Sequence, residues 1–378
     1  MQPTHKYFSN LTPLRGFAAL WVVVFHFQET IMNFNAASHT HMVAKGYMMV
    51  DLFFIMSGFI ISHVYQQSFQ TGLTSKSFRK FIVARFARVY PLHFFILLIL
   101  VLLVWPSGQW NIVQDPKAIP TNLLLLHSFG IHKIFTWNVP SWSISAEWWA
   151  YMIFPFLVIF IYRKKKLASV LLGLFAILAY IAIMYWLPRK DLFDPEKAAP
   201  HNLDSTFDYG FLRGLAGFIV GMLLYKAYEA ELFLKIFQKD ITAACIILLT
   251  LFCLHLGLND IVYIILFAAV VFSFALNKGR LHKFCNLRIL QYLGLISYSI
   301  YLVQLFPGTI LWASGIHLPG VKYTDYGAST GFWAGCGYCL IFLVFVIGLS
   351  SLTYYTIEKP CRKYINKRWG REEMPLYA

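Results

Sequence analysis

The chain has 378 residues, of which 58% are hydrophobic and 13% are charged, and its formal net charge is +15. Soluble domains carry about 25% charged residues, and the mean hydropathy of this chain is +0.60. Because a soluble core cannot bury so much apolar surface, the composition excludes an ordinary soluble protein and predicts an all-α integral membrane protein.

Apolar stretches separated by polar and basic segments predict ten transmembrane helices within a single domain, 1–378. A spanning helix needs about 20 mostly apolar residues, and some of these stretches are shorter or contain polar groups. The predicted helices are 16–33, 47–66, 92–105, 142–162, 167–187, 211–226, 241–257, 260–276, 291–313 and 331–354.

The basic residues follow the alternation that ten spans would produce. On the side that holds both termini we count 24 of the 32 Lys and Arg residues, and 8 on the other side. Because positively charged loops stay in the cytoplasm, we expect both termini to be cytoplasmic, with a basic tail over 359–378. Pro360 predicts that the last helix ends before this tail. The asymmetry explains the positive charge, so we reject nucleic acid as a partner.

The first predicted helix contains two ionisable residues within the stretch LRGFAALWVVVFHFQE. Arg15 and His26 are eleven residues apart, which places them on one helix face and about 16 Å apart along the axis. One interpretation is an arginine that extends to the interface and a histidine bonded within the bundle. The other is a face that lines a cavity, with positive charge at its mouth and an acid/base group near the membrane midplane.

Two further helices carry carboxylates where lipid would disfavour them. GYMMVDLFFIMSGFIIS contains Asp51 and Ser57, and VPSWSISAEWWAYMIFPF contains Glu147. Intramembrane carboxylates are costly and usually functional or paired, so each is either catalytic or part of a helix-packing hydrogen bond. The predicted topology places His26, Asp51 and Glu147 at similar depth. In a later helix, Gly217 and Gly221 predict a close helix contact.

Arg85 and Arg88 in RKFIVARFARVYP are three residues apart and hence neighbours on one helical face. Two guanidinium groups at this spacing suit recognition of a phosphate. The alternative is that they belong to the ordinary excess of basic residues on the cytoplasmic side.

The ordered set of motifs resembles the acyltransferase-3 family of membrane O-acyltransferases over residues 11–364. To the stretches above it adds FLRGLAGFIVGM, GLISYSIYLVQ and YYTIEKPCRKY. The resemblance departs at Gln304, where the family often has histidine, and at Trp148, where it often has a second acidic residue.

The resemblance implies a function in which an acyl group, most often acetyl, passes from cytoplasmic acyl-CoA to a hydroxyl of a cell-surface glycan. Lipopolysaccharide, capsule and exopolysaccharide are the expected acceptors. It assigns Arg15, Arg85, Arg88 and Ser57 to binding of acetyl-CoA, with no metal. His26 would act as general base or as an acylated relay, with Glu147 orienting it and Asp51 completing the catalytic set.

Two other classes of function remain open from the sequence. A proton-coupled transporter or flippase also uses buried His, Asp and Glu, although no inverted repeat with paired broken helices is visible. A membrane scaffold without catalysis is the third class. The expected location is the bacterial inner membrane, with membrane lipids as partners; the sequence leaves the acceptor and the oligomeric state undetermined.

Overall fold

The computed structural model describes residues 7–34, 36, 39–107, 113–189, 200–314 and 330–370. The regular structure in these ranges is helical throughout, without a strand, which confirms the predicted all-α fold. Residues 371–378 of the predicted basic tail lie outside the described residues.

The described residues form fifteen α-helices, which we number in chain order. They are α1 Leu11–His26, α2 Met49–Tyr65, α3 Ser75–Ser107, α4 Ile119–Leu123, α5 Trp142–Ile181, α6 Gly210–Glu229, α7 Leu234–Phe237, α8 Asp240–Leu256, α9 Asp260–Leu276, α10 Arg280–Cys285, α11 Arg288–Leu295, α12 Ser297–Val303, α13 Phe306–Ser314, α14 Phe332–Thr353 and α15 Lys359–Ile365.

Each of the ten predicted segments is helical over most of its length. Six helical segments of the described chain are long and apolar enough to cross a membrane, and the bent pair formed by α11 and Ser297–Ile310 would make a seventh. The three other predicted spans coincide with α1, α8 and α9, which have 16 or 17 residues, near the lower limit for a span. The chain is therefore a multi-pass helical protein by length and composition, while ten spans stay a prediction.

The long helix α5 covers two predicted spans, and two separate segments within this region, Val139–Lys164 and Lys166–Trp186, are each long and apolar enough to cross a membrane. A straight helix of 40 residues would be about 60 Å long. However, Ala146 near its start lies against Gly214, and Tyr180 near its end lies against Gly217, only one turn further along α6. The chain must therefore reverse direction within α5, which agrees with two spans that meet near 163–166.

Two predicted helix boundaries are wrong. α3 begins at Ser75 rather than near residue 92, so Arg85 and Arg88 lie inside a long helix. After α14 the chain continues through a π-helical turn, Tyr354–Glu358, into α15, so Pro360 does not end the helix. Because Pro360 stands at the start of α15, its missing N–H falls where proline is tolerated.

Helices α2 and α6 approach each other closely at glycines. A Cβ atom on Gly58 would overlap the backbone oxygen of Phe218, and one on Gly221 would overlap that of Ile55. This confirms the predicted close contact at Gly221 and explains why small residues are required there. The tight packing fixes α2, which contributes one wall of the central cavity.

Candidate active site

An elongated cavity of about 130 Å³ lies among α1, α2, α3, α5 and the bend between α11 and α12. It follows α2 from Val50 to Ile61, a distance of about 16 Å along the helix axis. Its polar lining residues are Thr12, Arg15, Ser57, Arg85, Arg88, Ser143, Glu147, Tyr151, Ser297, Tyr298, Tyr301 and Arg362. The cavity therefore runs along the helix bundle and not across it.

Three helices bring four arginines to this cavity: Arg15 on α1, Arg85 and Arg88 on α3, and Arg362 on α15. Arg85 donates a hydrogen bond to the Tyr65 hydroxyl at 3.1 Å and lies over the rings of Tyr65 and Tyr151. Arg88 forms an ion pair with the buried carboxylate of Glu358. The helical spacing of three residues puts both α3 arginines on the cavity side, as predicted.

Positive charge dominates the lining of the cavity. Among the described lining residues, Glu147 is the single carboxylate beside four guanidinium groups. Arg15 is near enough to Arg88 for mutual repulsion and near enough to Glu147 for attraction. Because like charges in a buried site repel strongly, an anionic ligand such as a phosphate would be favoured there.

Glu147 is held in a fixed orientation inside the cavity. Its Oε1 atom accepts a hydrogen bond from Ser57 Oγ at 2.7 Å and another from the Tyr151 hydroxyl at 2.5 Å. Both bonds use Oε1, so Oε2 remains available to a ligand in the cavity that Glu147 lines. Two predicted site residues, Ser57 and Glu147, are thus in direct contact.

Val50 and Tyr301 form one end of the cavity, and His26 lies beyond that end. α1 and α2 are antiparallel, because Gly46 lies against Phe25 at one level while Arg15 and Ser57 share the cavity at another. The imidazole neighbours the side chain of Gln304. Nδ1 of His26 and Oε1 of Gln304 are both buried without a hydrogen-bond partner in the described residues.

Tyr301 stands between the cavity and His26. It lines the cavity, its hydroxyl accepts a hydrogen bond from Ser143 at 2.8 Å, and its carbonyl accepts one from the Gln304 amide at 2.8 Å. Gln304 is one helical turn further along and lies beside His26. The end of the cavity and His26 are therefore linked through Tyr301 and Gln304.

The structure does not place His26, Asp51 and Glu147 at the common depth that we predicted. Glu147 bonds to Ser57, which is six residues and about 9 Å along α2 from Asp51. His26 lies further still in the same direction, near the level of Gly46. α2 and α5 begin at different levels, because Glu147, in the second turn of α5, bonds to Ser57, which lies in the third turn of α2.

Asp51 lies outside the cavity lining and belongs to a sealed ion pair. Arg213 donates to both of its carboxylate oxygens, at 3.2 and 2.5 Å, and both side chains are fully buried. The remaining Arg213 donors reach the carbonyl oxygens of Ser205 and Tyr47, at 3.2 and 2.9 Å. The structure therefore brings together five of the seven predicted site residues and leaves His26 and Asp51 apart from them.

Three buried charged residues were not among the candidate site residues predicted from the sequence. Arg213 lies in the motif FLRGLAGFIVGM, and an arginine inside an apolar helix is itself a signal of a buried partner. Glu358 and Arg362 lie in YYTIEKPCRKY, which we interpreted as the end of the last helix and a basic tail. Because helix α15 continues past Pro360, both residues return to the bundle instead.

The described part of the chain holds no group of three or more His, Cys, Asp and Glu side chains arranged to bind a metal ion. The arginines are the residues suited to a ligand, because planar guanidinium groups bind phosphate oxygens in pairs. The cavity is thus suited to a phosphorylated molecule with a long, thin portion that extends towards Tyr301.

The protein is thus a multi-pass helical bundle with an arginine-lined internal cavity. The model of the acyltransferase domain of the acyltransferase-3 family matches residues 9–354. The chain therefore belongs to this family of acyltransferase enzymes.

The curated relatives include two that are named for the O-acetylation of peptidoglycan. The putative peptidoglycan O-acetyltransferase YrhL of Bacillus subtilis is 24% identical over 387 aligned residues, which cover 95% of this chain and 55% of that protein. Peptidoglycan O-acetyltransferase OatA of Listeria monocytogenes is 24% identical over 204 residues, which cover 50% of this chain and 30% of that protein. The chain thus spans about half the length of YrhL.

A third relative carries a broader name. The acyltransferase MdmB of Streptomyces mycarofaciens is 30% identical over 164 residues, which cover 41% of this chain and 40% of that protein. No solved structure matches the chain.

Proposed function

We propose that this protein is a membrane-bound O-acyltransferase that transfers an acyl group, in the first instance acetyl, from acyl-CoA to a hydroxyl of a cell-surface glycan. One observation supports this most strongly: the cavity combines four arginines with an extended shape that ends next to His26. The names of YrhL and OatA make peptidoglycan the first acceptor to test, ahead of lipopolysaccharide, capsule and exopolysaccharide.

The donor would bind with its phosphates at the arginines and its thin arm along α2. Arg15, Arg85 and Arg88 offer guanidinium groups to the phosphates. Ser57 and Glu147 line the middle of the cavity, where Oε2 of Glu147 can accept from the amide N–H groups of the pantetheine arm. The thioester would then reach the Tyr301 end, close to His26.

His26 would supply the acid/base chemistry of transfer. As general base it accepts the proton of the acceptor hydroxyl while the oxygen attacks the thioester carbonyl. The C–S bond breaks, and the departing CoA thiolate takes the proton from the imidazolium. In the relay alternative, an imidazole nitrogen carries the acyl group between donor and acceptor.

The two predicted catalytic carboxylates would have different tasks. Glu147 would balance the charge of Arg15 and Arg85 and orient the donor arm. Asp51 would act indirectly, by holding Arg213 and with it the packing of α2 against α6. In both proposed tasks the carboxylate acts without direct contact with His26.

The membrane orientation remains part of the proposal. With both termini cytoplasmic in a bacterial inner membrane, Arg15 and Arg362 lie towards the cytoplasm, where acyl-CoA is present, and His26 lies towards the opposite face. A glycan acceptor would then approach from the side where it is assembled into the cell surface.

Release of a free thiol tests the activity directly. Purified protein in lipid nanodiscs should release CoA thiol from acetyl-CoA when peptidoglycan fragments or another glycan acceptor is present. Acetyl ester on the acceptor, measured by mass spectrometry, should match the thiol. A transporter or scaffold would release no thiol with any of these acceptors, and that result would contradict the proposal.

A further inference from the structure

The segment that follows α14 returns to the cavity and adds charged residues to it. The family match ends at residue 354, where the π-helical turn Tyr354–Glu358 begins, and α15 and a final π-helical turn, Asn366–Gly370, follow it. From this segment, Glu358 bonds to Arg88 of α3 and Arg362 lines the cavity. The segment is thus part of the cavity wall.

Glu358 is a buried carboxylate with both oxygens engaged. It is 1% exposed, its Oε1 accepts from Arg88, and its Oε2 accepts from Ser299 Oγ at 2.8 Å. The Arg88 guanidinium also lies over the Tyr298 ring, 5.2 Å from its centre. A guanidinium held on one edge by a fixed carboxylate and on one face by a ring presents its other donors in one direction, which lowers the entropy lost on binding a ligand.

Arg362 lines the cavity together with three other arginines, and its side chain is itself buried. Its side chain is 7% exposed, and it lies on the same short helix whose start places Glu358 against Arg88. Glu358 is near enough to attract the Arg362 guanidinium, and Arg88 is near enough to repel it. Four guanidinium groups thus share the site with two carboxylates, Glu147 and Glu358, so an anionic ligand in the cavity would reduce the repulsion among the arginines. Arg362 lines the cavity where such a ligand would meet it.

We propose that the segment after α14 forms part of the donor site: Arg362 contacts the phosphate groups of the acyl-CoA nucleotide, and Glu358 is a positioning residue that directs Arg88 at the same phosphates. This inference rests on the proposed function. It assigns phosphate recognition to residues beyond the matched family domain.

A donor without phosphates separates this role from a structural one. S-acetyl-pantetheine carries the same thioester and arm as acetyl-CoA but lacks the nucleotide. For Arg362→Ala we expect kcat/KM with acetyl-CoA to fall about 10- to 100-fold, the equivalent of one charge-assisted hydrogen bond, mainly through KM. With S-acetyl-pantetheine, kcat/KM should equal that of the unmodified protein.

Glu358→Gln should show the same selectivity with a smaller loss. The amide keeps the shape and one acceptor oxygen but loses the charge that fixes Arg88. Arg362→Lys should recover part of the acetyl-CoA activity, because lysine keeps the charge without the planar fork. Lys363→Ala is the matched control, since Lys363 is the exposed neighbour of Arg362 and its loss should change neither donor's kinetics.

The outcomes distinguish the inference from the activity on which it rests. If the unmodified protein releases no thiol from either donor, both the proposed function and this inference fail. If it is active and Arg362→Ala and Arg362→Lys reduce activity equally with both donors, or with neither, the inference alone is overturned. Binding of acetyl-CoA by calorimetry, on variants that elute as single species, checks the kinetic result.

Discussion

The pairs Arg213–Asp51 and Arg88–Glu358 are both buried, and they differ in what surrounds them. Arg213 and Asp51 are sealed between α2 and α6, with backbone oxygens accepting from the guanidinium donors that Asp51 does not use. Arg88, which pairs with Glu358, lines a cavity that three more arginines share. A buried ion pair thus indicates a binding site when unbalanced charge and open volume lie beside it.

His26 lies outside both pairs and should give the largest loss of function. We expect His26→Ala to reduce acyl transfer by at least about 100-fold, the lower range for loss of a general base. Its stability and its affinity for acetyl-CoA should match those of the unmodified protein, because His26 does not line the arginine cavity. Turnover and donor titration on the purified variant measure both. Near-normal transfer by a well-folded variant would exclude His26 from the chemistry.

Replacement of Asp51 in the sealed pair should lower the stability of the folded protein. Asp51→Ala removes the carboxylate that Arg213 hydrogen-bonds and leaves the buried guanidinium with the carboxylate of Asp204, at 3.9 Å; breaking a buried pair in this way typically costs about 3–5 kcal/mol. We expect a lower yield of folded protein and a lower unfolding temperature, measured by fluorescence in detergent.

Removing both charges tests whether Asp51 acts only through Arg213. The double variant Asp51→Ala, Arg213→Ala should be more stable than Asp51→Ala alone, because the buried guanidinium is removed together with its hydrogen-bonded carboxylate. A stable Asp51→Ala protein that has lost transfer would show instead that Asp51 takes part in the chemistry.

Replacement of Arg88 in the pair beside the cavity should lower the affinity for acetyl-CoA. Arg88→Ala should weaken acetyl-CoA binding about 10- to 100-fold, and excess donor should restore part of the rate. Arg88→Lys should give an intermediate effect because it keeps the charge but loses the fork. Isothermal titration measures the affinity. If Arg85→Ala and Arg88→Ala both leave the affinity unchanged, these arginines contribute only to the positive charge that sets the membrane topology.

Glu147→Gln should give the smallest of these effects. The amide oxygen can still accept from Ser57 and Tyr151, so the shape of the cavity is kept while the negative charge is lost. We expect a decrease of about tenfold in kcat/KM, near the lower value for one charged hydrogen bond. Steady-state kinetics measure it, with Trp148→Phe as a neighbouring control on the same helix. A complete loss would point to proton transfer by Glu147 itself.

Local pattern was enough to find five of the twelve polar residues that line the cavity. Arg85 and Arg88 fall on one face because three residues are close to one helical turn, and no tertiary contact alters that spacing. Ser57 and Glu147 were selected because polar groups in apolar helices are costly. Their mutual hydrogen bond, at 2.7 Å, could not be predicted, since it depends on the relative heights of α2 and α5.

Composition and local motifs were enough to predict the helical membrane class, the family, and the polar residues that an apolar helix does not carry without a function or a partner. These follow from composition and from the 3.6-residue period, which act within a single helix. The packing of the helices was needed to show that Asp51 pairs with Arg213, that Glu147 lies apart from His26, that Glu358 pairs with Arg88, and that Arg362 lines the cavity. Partners in a helix bundle depend on where each helix begins and how it bends, and a 51° break or one π-helical turn shifts those levels without a clear mark in the sequence.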